Sequence, residues 1–467
     1  MGGTQTHSNQ TNPATAAPSL ELSTRGSTVL FLRMWAIAQI VHLWAAGGGM
    51  LTTPWAWGTV LAASAVLFRP TSRSFVGAMA AFQVLDYVWE MPFSPDHWVL
   101  AMAVNLLLLS VVVRRRADLL DGVASTLPAI RLVLLLAYGL AAIAKHNADF
   151  YNPVKSCAGA LLSAASGGLV KGIALSTIAV VISVVVETSV PILLALPRAR
   201  RFGVALAMIF HFGLSASPLF AVVDFTAILF PLFLLFLPND DIEQIRLRLR
   251  DLSGKSQIAR DIKRFPVPTV VLAVALIGVV GFAASVVSQA SAWVIIEAYL
   301  FVVLFATITT IVKGRGVTAT PRAFGRIRPA QLVVPLLLVV WGLSPYLGLR
   351  TTGVLSMFSN LQTEAAGNHF FMPTIRLAGW QDEIILVSEA NDDRVQALAD
   401  VDAGIPLMAL RRYHGENPDL QVTGTIGGET VSFGGDGSPW EELSWWESKF
   451  LLFRPFAAGE TRFCPIA

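Results

Sequence analysis

Long apolar stretches alternate with short polar connections along most of the chain. A helix of about 20 apolar residues is long enough to cross the hydrocarbon core of a bilayer. The apolar stretches of spanning or near-spanning length lie at about 28–46, 52–68, 74–91, 97–113, 127–147, 170–196, 202–216, 219–237, 267–288, 292–312 and 329–349. This pattern predicts an all-α polytopic membrane bundle with about 11 membrane segments.

Arginines are concentrated in alternate connections between these segments. Clusters lie at 69–73, 114–116 and 198–201, and further basic residues follow at 240–264 and 313–328. Loops that stay on the cytoplasmic side of a membrane carry an excess of lysine and arginine. The distribution therefore predicts an N-in/C-out topology, with the amino terminus in the cytoplasm and the carboxyl terminus outside.

Composition divides the chain into three parts. Residues 1–24 are rich in Ser, Thr, Asn and Pro and lack an apolar core, which predicts a disordered tail. Residues 25–350 hold the predicted membrane segments. Residues 351–467 contain glycine-rich turn candidates, such as the one at 426–429, between alternating segments. That pattern predicts a small, mainly β extracytoplasmic domain at the carboxyl end.

The overall composition favours a multi-pass protein of the cell membrane, with the lipid bilayer as its surroundings. Hydrophobic residues make up 54% of the chain and charged residues only 14%, whereas soluble domains have roughly 25% charged residues. The net charge of +3 is too small to favour nucleic acid as a partner. Two cysteines cannot form a zinc site of the multi-cysteine type, and the sequence predicts no metal site.

Cys157 and Cys464 are the only cysteines, and the predicted topology places both on the outer side. An oxidising compartment permits a disulfide between them. Two unpaired thiols are the alternative that the sequence slightly favours, because two cysteines can lie outside by chance, and both stay open.

Lys145 lies at the end of an otherwise apolar segment, followed by His146 and Asp149. Placing a charged side chain within a membrane costs about 2.5–3.5 kcal/mol on insertion scales, so such residues usually face a cavity or a partner. A desolvated lysine also loses its proton more readily and can act as a base. Lys145 is therefore the first candidate for a catalytic residue.

The predicted topology brings two histidines to the same depth as this lysine. His97 begins one segment at the outer face, and His211 lies near the outer end of another. We predict His97 as the second catalytic residue and His211 as a substrate-binding residue.

Three further residues complete the predicted substrate-binding group. Tyr138 and Asp149 share a helical stripe with Lys145 at spacings of seven and four. Glu187 lies within its own apolar segment, which the topology places toward the inner half of the membrane.

Each candidate also has a structural interpretation. Lys145 and Asp149 could form an ordinary ion pair at a helix end, with the lysine extending toward the headgroups. His211 could be a hydrogen-bonded core histidine between Phe210 and Phe212, and His97 could be a helix-start residue touching water. Glu187 could pair with an arginine near an inner helix end, such as Arg131. Residue chemistry alone thus supports a polar site in the membrane that faces outward, without naming a reaction.

Four stretches resemble, in the same order, a known family of membrane proteins. Residues 138–150 follow the pattern Tyr-x-x-Ala-x-x-x-Lys-x-x-Ala-Asp-aromatic. The chain is similar here to the catalytic-lysine region of the vitamin K-dependent gamma-glutamyl carboxylase and its bacterial relatives with the HTTM domain. The other stretches with similarity are 94–116, 187–212 and 344–369.

The resemblance implies a quinol-linked carboxylase of the lyase class that acts on a peptide glutamate at the outer face. In this family a lysine deprotonates vitamin K hydroquinone, and oxygen then converts the hydroquinone to an epoxide through a strong base. That base removes a γ-proton from glutamate, and CO2 traps the carbanion. Lys145 matches the lysine base, and His97 matches a histidine that supports the developing oxyanion. The implied cofactor is a reduced quinone, with O2 and CO2 as co-substrates.

Two departures from the family pattern keep a second function open. Ala144 stands where the family has the first of two adjacent lysines. The segment 351–467 is also much shorter than the region with which the carboxylase grips its substrate. The alternative is a non-catalytic HTTM membrane protein in peptide export, maturation or immunity, which would use the outer pocket for binding.

Overall fold

The structure is a computed structural model of the chain. It describes residues 16–46, 51–114, 118–169, 171–216, 222–253, 289–314, 325–365, 367–435, 437–458 and 464. The predicted segment at 267–288 lies outside these residues. Helix α1 begins at Ala16, inside the stretch that was predicted to be a disordered tail.

The described residues before the carboxyl-terminal region are mostly helical. The helices are α1 Ala16–Ala46, α2 Pro54–Phe68, α3 Arg73–Glu90, α4 Trp98–Val113, α5 Leu119–Ala124, α6 Leu127–Ala144, α7 Ala148–Tyr151, α8 Cys157–Ala165, α9 Ile173–Ala195, α10 Arg200–Ser215, α11 Val223–Leu234, α12 Asn239–Ser253, α13 Gln289–Lys313 and α14 Pro329–Gly342.

Among the residues that the structure describes, four helical stretches are long and apolar enough to cross a membrane. They are Thr24–Ala45, Leu119–Ala144, Ile173–Ala195 and Ala292–Lys313. Four shorter apolar helices accompany them, at Pro54–Phe68, Trp98–Val113, Val223–Leu234 and Pro329–Gly342. These lengths and compositions support a membrane protein built from apolar helices, which is the coarser part of the predicted fold.

Helix α6 ends at Ala144, earlier than the predicted segment, because Asn147 starts a new helix. The Asn147 side chain accepts a hydrogen bond from the backbone N–H of Phe150 at 2.9 Å, which caps the first turn of α7. Its amide also donates to the carbonyl of Ala144 at 2.8 Å. The chain changes direction between the two helices, so the prediction that Asp149 continues the Tyr138–Lys145 stripe is wrong.

The carboxyl-terminal region forms an antiparallel sheet. Its strands are β1 Ile384–Ala390, β2 Ala403–Pro406, β3 Val422–Ile426, β4 Glu429–Phe433 and β5 Phe456–Ala457. Their order across the sheet is β4-β3-β1-β2-β5. The predicted turn at 426–429 joins β3 to β4, with Gly427 and Gly428 at φ values of +60° and +90°, a conformation that glycine adopts without steric cost.

This region is less purely β than the sequence predicted. Three helices accompany the strands, namely α15 Asp393–Ala399, α16 Leu407–Glu416 and α17 Trp445–Phe450. The apolar residues Val395 and Leu410 of α15 and α16 pack with strand residues such as Ile385 and Val422 in a separate small core. Helical spacing of these apolar positions, which the sequence analysis overlooked, explains the added helices.

A disulfide joins Cys157, the first residue of α8, to Cys464, with the two α-carbons 5.1 Å apart. The structure therefore favours the bridged alternative over two unpaired thiols. The backbone N–H of Cys157 also donates to the side chain of Asn360 at 2.7 Å. The start of α8 is thus fixed both covalently and by the segment that follows α14.

Candidate functional site

A cavity of about 470 Å³ lies among α4, α6, α8, α9, α10 and the segment at 355–358. Its size is in the range of small-molecule sites, and most of its wall is apolar. Five of the six predicted site residues line it, together with Asp96 and Ser183: they are His97, Tyr138, Lys145, Glu187 and His211.

Lys145 and Glu187 form an ion pair on the cavity wall, with Nζ 2.8 Å from Oε2. Lys145 is only 5% exposed. Its amine also donates to the carbonyl of Met357 at 3.2 Å and lies 5.8 Å from the ring centre of Phe150. Glu187 accepts a second hydrogen bond, from the Ser183 hydroxyl at 2.6 Å. The buried amine and the partly buried carboxylate thus each have a further hydrogen-bond partner besides each other.

This pairing replaces the partner suggested for Glu187. The Lys145 amine reaches the Glu187 carboxylate, which belongs to the carboxyl-terminal half of α9. Arg131, the suggested partner, instead donates its Nε–H to the carbonyl of Leu235 at 2.8 Å. Hydropathy sets the approximate depth of a helix, whereas the attraction between two charges in apolar surroundings fixes which residues face each other.

Tyr138, which precedes Lys145 by seven residues, contacts His211 on the wall of the same cavity. A hydrogen bond joins the Tyr138 hydroxyl to Nε2 of His211, and both side chains are buried. Nδ1 of His211 has no hydrogen-bond partner among the residues that the structure describes. The second histidine nitrogen is therefore a buried polar atom without a partner among the described residues.

His97 is held by an acid that the sequence analysis missed. Nε2 of His97 lies 2.5 Å from Oδ2 of Asp224, in the first turn of α11. Both residues are buried. Asp224 is the only acid in the apolar run 202–237, and a lone carboxylate in such a run was the signal that could have identified it.

His42 of α1 completes a cluster with these two residues. Its Nδ1 lies 3.8 Å from Oδ2 of Asp224. One ligand atom from each of His42, His97 and Asp224 lies within 4.8 Å of the others, which is close enough for the three to hold a metal ion. No metal site was predicted, because that prediction rested on cysteine spacing alone. The cluster of His42, His97 and Asp224 contains no cysteine.

Asp149 is not among the residues that line the cavity. Its carboxylate accepts a hydrogen bond from the Asn368 side chain at 2.7 Å and lies 3.7 Å from the Lys155 amine. The suggested ion pair between Lys145 and Asp149 is therefore replaced by two different pairs. Through its bond to Asn368, Asp149 attaches α7 to the segment that comes after α14.

A loop at residues 354–360, here called the cap loop, closes one side of the cavity. Leu355, Met357 and Phe358 of this loop line the cavity. Leu355 and Phe358 have φ values of +64° and +53°, which non-glycine residues adopt only when their surroundings impose it.

Hydrogen bonds from two helix ends impose this conformation. The Asp96 carboxylate, just before α4, accepts from the backbone N–H groups of Val354 at 3.1 Å and Ser356 at 2.9 Å. Asn147 donates to the carbonyl of Ser359 at 2.6 Å. The cap loop is therefore attached at both ends to the elements that carry His97 and Lys145.

His369 lies beside the end of α6, outside the apolar helices. Its Nε2 donates to the carbonyl of Ile143 at 2.8 Å. Burial lowers the pKa of the His369 imidazole, and the bond to Ile143 opposes that effect in part. The neutral ring is therefore the form that holds this segment against α6.

No protein-family model, curated protein or solved structure matches this chain. The resemblance to the carboxylase family and the roles it implies stay predictions.

Proposed function

We propose that this chain is a multi-pass membrane enzyme similar to the vitamin K-dependent gamma-glutamyl carboxylase. It would use a reduced quinone, with O2 and CO2, on a peptide glutamate at the outer face. The observation that carries this proposal is the Lys145–Glu187 ion pair on the wall of an apolar cavity that also contains His97.

The ion pair offers a way to generate a neutral amine. Transfer of the lysine proton to Glu187 would convert the ion pair into a neutral amine and a neutral carboxyl group. The Lys145 amine could then accept a proton from a hydroxyl in the cavity, as the resemblance implies. Ser183 and the carbonyl of Met357 hold both groups in place during such a transfer.

The Asp224 carboxylate orients His97 toward the cavity. Because Nε2 of His97 bonds to Asp224, Nδ1 is the ring nitrogen left without that contact, and it is buried. Nδ1 has no hydrogen-bond partner in the part of the chain that the structure describes. An acid that fixes the orientation of a histidine ring is a recurrent arrangement at catalytic sites.

The cavity also fits a lipid-soluble ligand. Leu175, Ile178 and Ile182 of α9 line the cavity, yet they are 40%, 53% and 49% exposed at the surface of the bundle. In a bilayer that surface faces lipid, so an apolar molecule could reach the site from the membrane. A reduced quinone bound there would supply the reducing power for reaction with O2.

The proposed topology keeps about 11 membrane segments and the N-in/C-out orientation. The disulfide between Cys157 and Cys464 supports it, since disulfides persist in oxidising compartments outside the cytoplasm. This assignment places α8, the cap loop and the carboxyl-terminal sheet on the outer side of the cell membrane, where a secreted peptide substrate could reach them.

A single substitution tests the proposal. Purified protein in lipid nanodiscs would be supplied with vitamin K hydroquinone, O2, labelled CO2 and a glutamate-containing peptide. Lys145→Ala should reduce hydroquinone consumption at least about 100-fold, the usual size of a general-base contribution. Lys155→Ala is the matched control, because Lys155 contacts Asp149 away from the cavity.

Two results would count against the catalytic proposal. Hydroquinone consumption that survives Lys145→Ala would remove the lysine base. Hydroquinone binding by the wild-type protein without any consumption would favour the non-catalytic HTTM alternative.

A further inference from the structure

We propose that His42, His97 and Asp224 bind one divalent transition-metal ion, Zn²⁺ or Fe²⁺, beside the cavity. This inference goes beyond the proposed carboxylase-like function and does not depend on it. It rests on the arrangement of three buried side chains and on their donor chemistry.

The three residues come from separate elements that the fold brings together. His42 is near the end of α1, His97 immediately precedes α4, and Asp224 is in the first turn of α11. They are 0%, 6% and 8% exposed. Such deep burial of three polar side chains at one point is costly unless each finds a partner.

His42 is the residue whose environment most needs explanation. Neither of its ring nitrogens has a hydrogen-bond partner among the described residues, and an unsatisfied buried group costs about 1–3 kcal/mol. Its ring packs edge-on against the rings of His97 and Trp98, and the ring centroids lie 5.4 Å and 4.9 Å apart. The packed ring places Nδ1 3.8 Å from Asp224, too far for a hydrogen bond but suitable for an ion bound between them.

The distances fit an ion after a small movement. Ligand atoms bonded at about 2.0–2.2 Å to one tetrahedral zinc stand roughly 3.3–3.5 Å apart. His42 Nδ1 and Asp224 Oδ2, at 3.8 Å, are already near this separation. His97 Nε2, now 2.5 Å from the same oxygen, would move away by about 1 Å to share the ion.

The donor set selects the kind of metal. Two imidazoles and one carboxylate are the ligands of catalytic zinc sites and of non-haem Fe²⁺ sites. Ca²⁺ and Mg²⁺ prefer oxygen ligands, and Ca²⁺ needs six to eight of them. Three protein ligands leave coordination positions open, and one of the three, His97, also lies on the cavity wall.

Metal content of the intact protein tests the inference. The full chain would be purified without chelator, loaded with Zn²⁺ or, anaerobically, Fe²⁺, freed of excess metal and analysed by elemental mass spectrometry. We expect about one equivalent of metal in the wild type and at least tenfold less in His42→Ala and Asp224→Asn. The matched control is His146→Ala, which removes a histidine outside the cluster that is bonded to Tyr151 and should retain the metal.

A second measurement keeps the inference testable if a variant fails to fold. X-ray absorption of the metal-loaded wild type should show two imidazole ligands and one carboxylate at about 2.0–2.2 Å. Binding of less than about a tenth of an equivalent by the wild type, or full metal content in folded His42→Ala, would overturn it. Because these measurements do not use hydroquinone, their outcome is separate from that of the Lys145 experiment.

Discussion

The Lys145 amine at the end of α6 lies 2.8 Å from the Glu187 carboxylate of α9. The sequence predicted both residues for one site but did not predict their ion pair. Their contact ties α6 to α9 across the cavity, so the groups proposed for proton transfer also hold the cavity walls together.

Breaking this ion pair should destabilise the protein strongly. Glu187→Gln leaves a buried ammonium without its counter-charge, which typically costs about 3–5 kcal/mol. Thermal unfolding in detergent, followed by tryptophan fluorescence, would measure the effect. Adding Lys145→Met to Glu187→Gln should recover part of the loss, because it removes the unpaired charge.

The control for this measurement is the Lys155–Asp149 pair, whose side chains are 24% and 28% exposed. Lys155→Met should cost less than about 1 kcal/mol, as for other exposed pairs. Equal losses for Lys155→Met and Glu187→Gln would contradict the assigned importance of the buried pair.

Asp96→Ala should loosen the cap loop. The substitution removes the acceptor of the Val354 and Ser356 N–H groups, and hydrogen bonds to a charged group contribute about 1.5–3 kcal/mol each. Hydrogen exchange followed by mass spectrometry should show faster exchange in residues 354–360. Exchange in β3 should stay unchanged, and an unaltered rate in the cap loop would show that other contacts fix it.

The disulfide should make both thiols unreactive until it is reduced. A maleimide reagent should label neither cysteine of the wild type without reductant and both after reduction under denaturing conditions. Cys464→Ser should lower the apparent melting temperature, because removal of a native disulfide commonly costs about 2–5 kcal/mol. Labelling of Cys157 in the untreated native protein would show that the bridge is absent.

Acidification should weaken the contact between His369 and α6. The pKa of His369 is lowered by burial, so the unfolded chain takes up a proton at a higher pH than the folded protein does. The contribution of His369 to stability is therefore complete above the ordinary pKa of about 6.5 and decreases as the pH falls below it.

Melting curves between about pH 5 and pH 8 would test this sign. The wild type should lose more stability on acidification than His369→Gln, which cannot titrate. A wild-type curve that runs parallel to that of His369→Gln across the range would exclude the proposed linkage.

The local pattern of apolar residues was sufficient to predict many of the helices. The stretches at 52–68 and 97–113 form helices Pro54–Phe68 and Trp98–Val113, because runs of apolar residues favour helices in a bilayer regardless of their neighbours. The end of α6 was placed too late, because it depends on one capping side chain, that of Asn147.

The site was harder to predict from the sequence, because its contacts join residues that are far apart along the chain. Lys145 and His97 were selected by their chemistry, but their partners Glu187 and Asp224 lie on other helices. His42 gave no signal beyond being a polar residue in an apolar run. Pairwise geometry of this kind depends on how helices pack, which apolar periodicity does not determine.

The link between Cys157 and Cys464 also sets an order of events during biosynthesis. Ala158, Leu161 and Leu162 of α8 line the cavity, yet the ribosome reaches Cys464 only after every described helix has been made. The disulfide that fixes α8, one wall of the site, can therefore form only after translation has passed residue 464. In a nascent chain interrupted earlier, non-covalent contacts alone would hold this wall of the cavity.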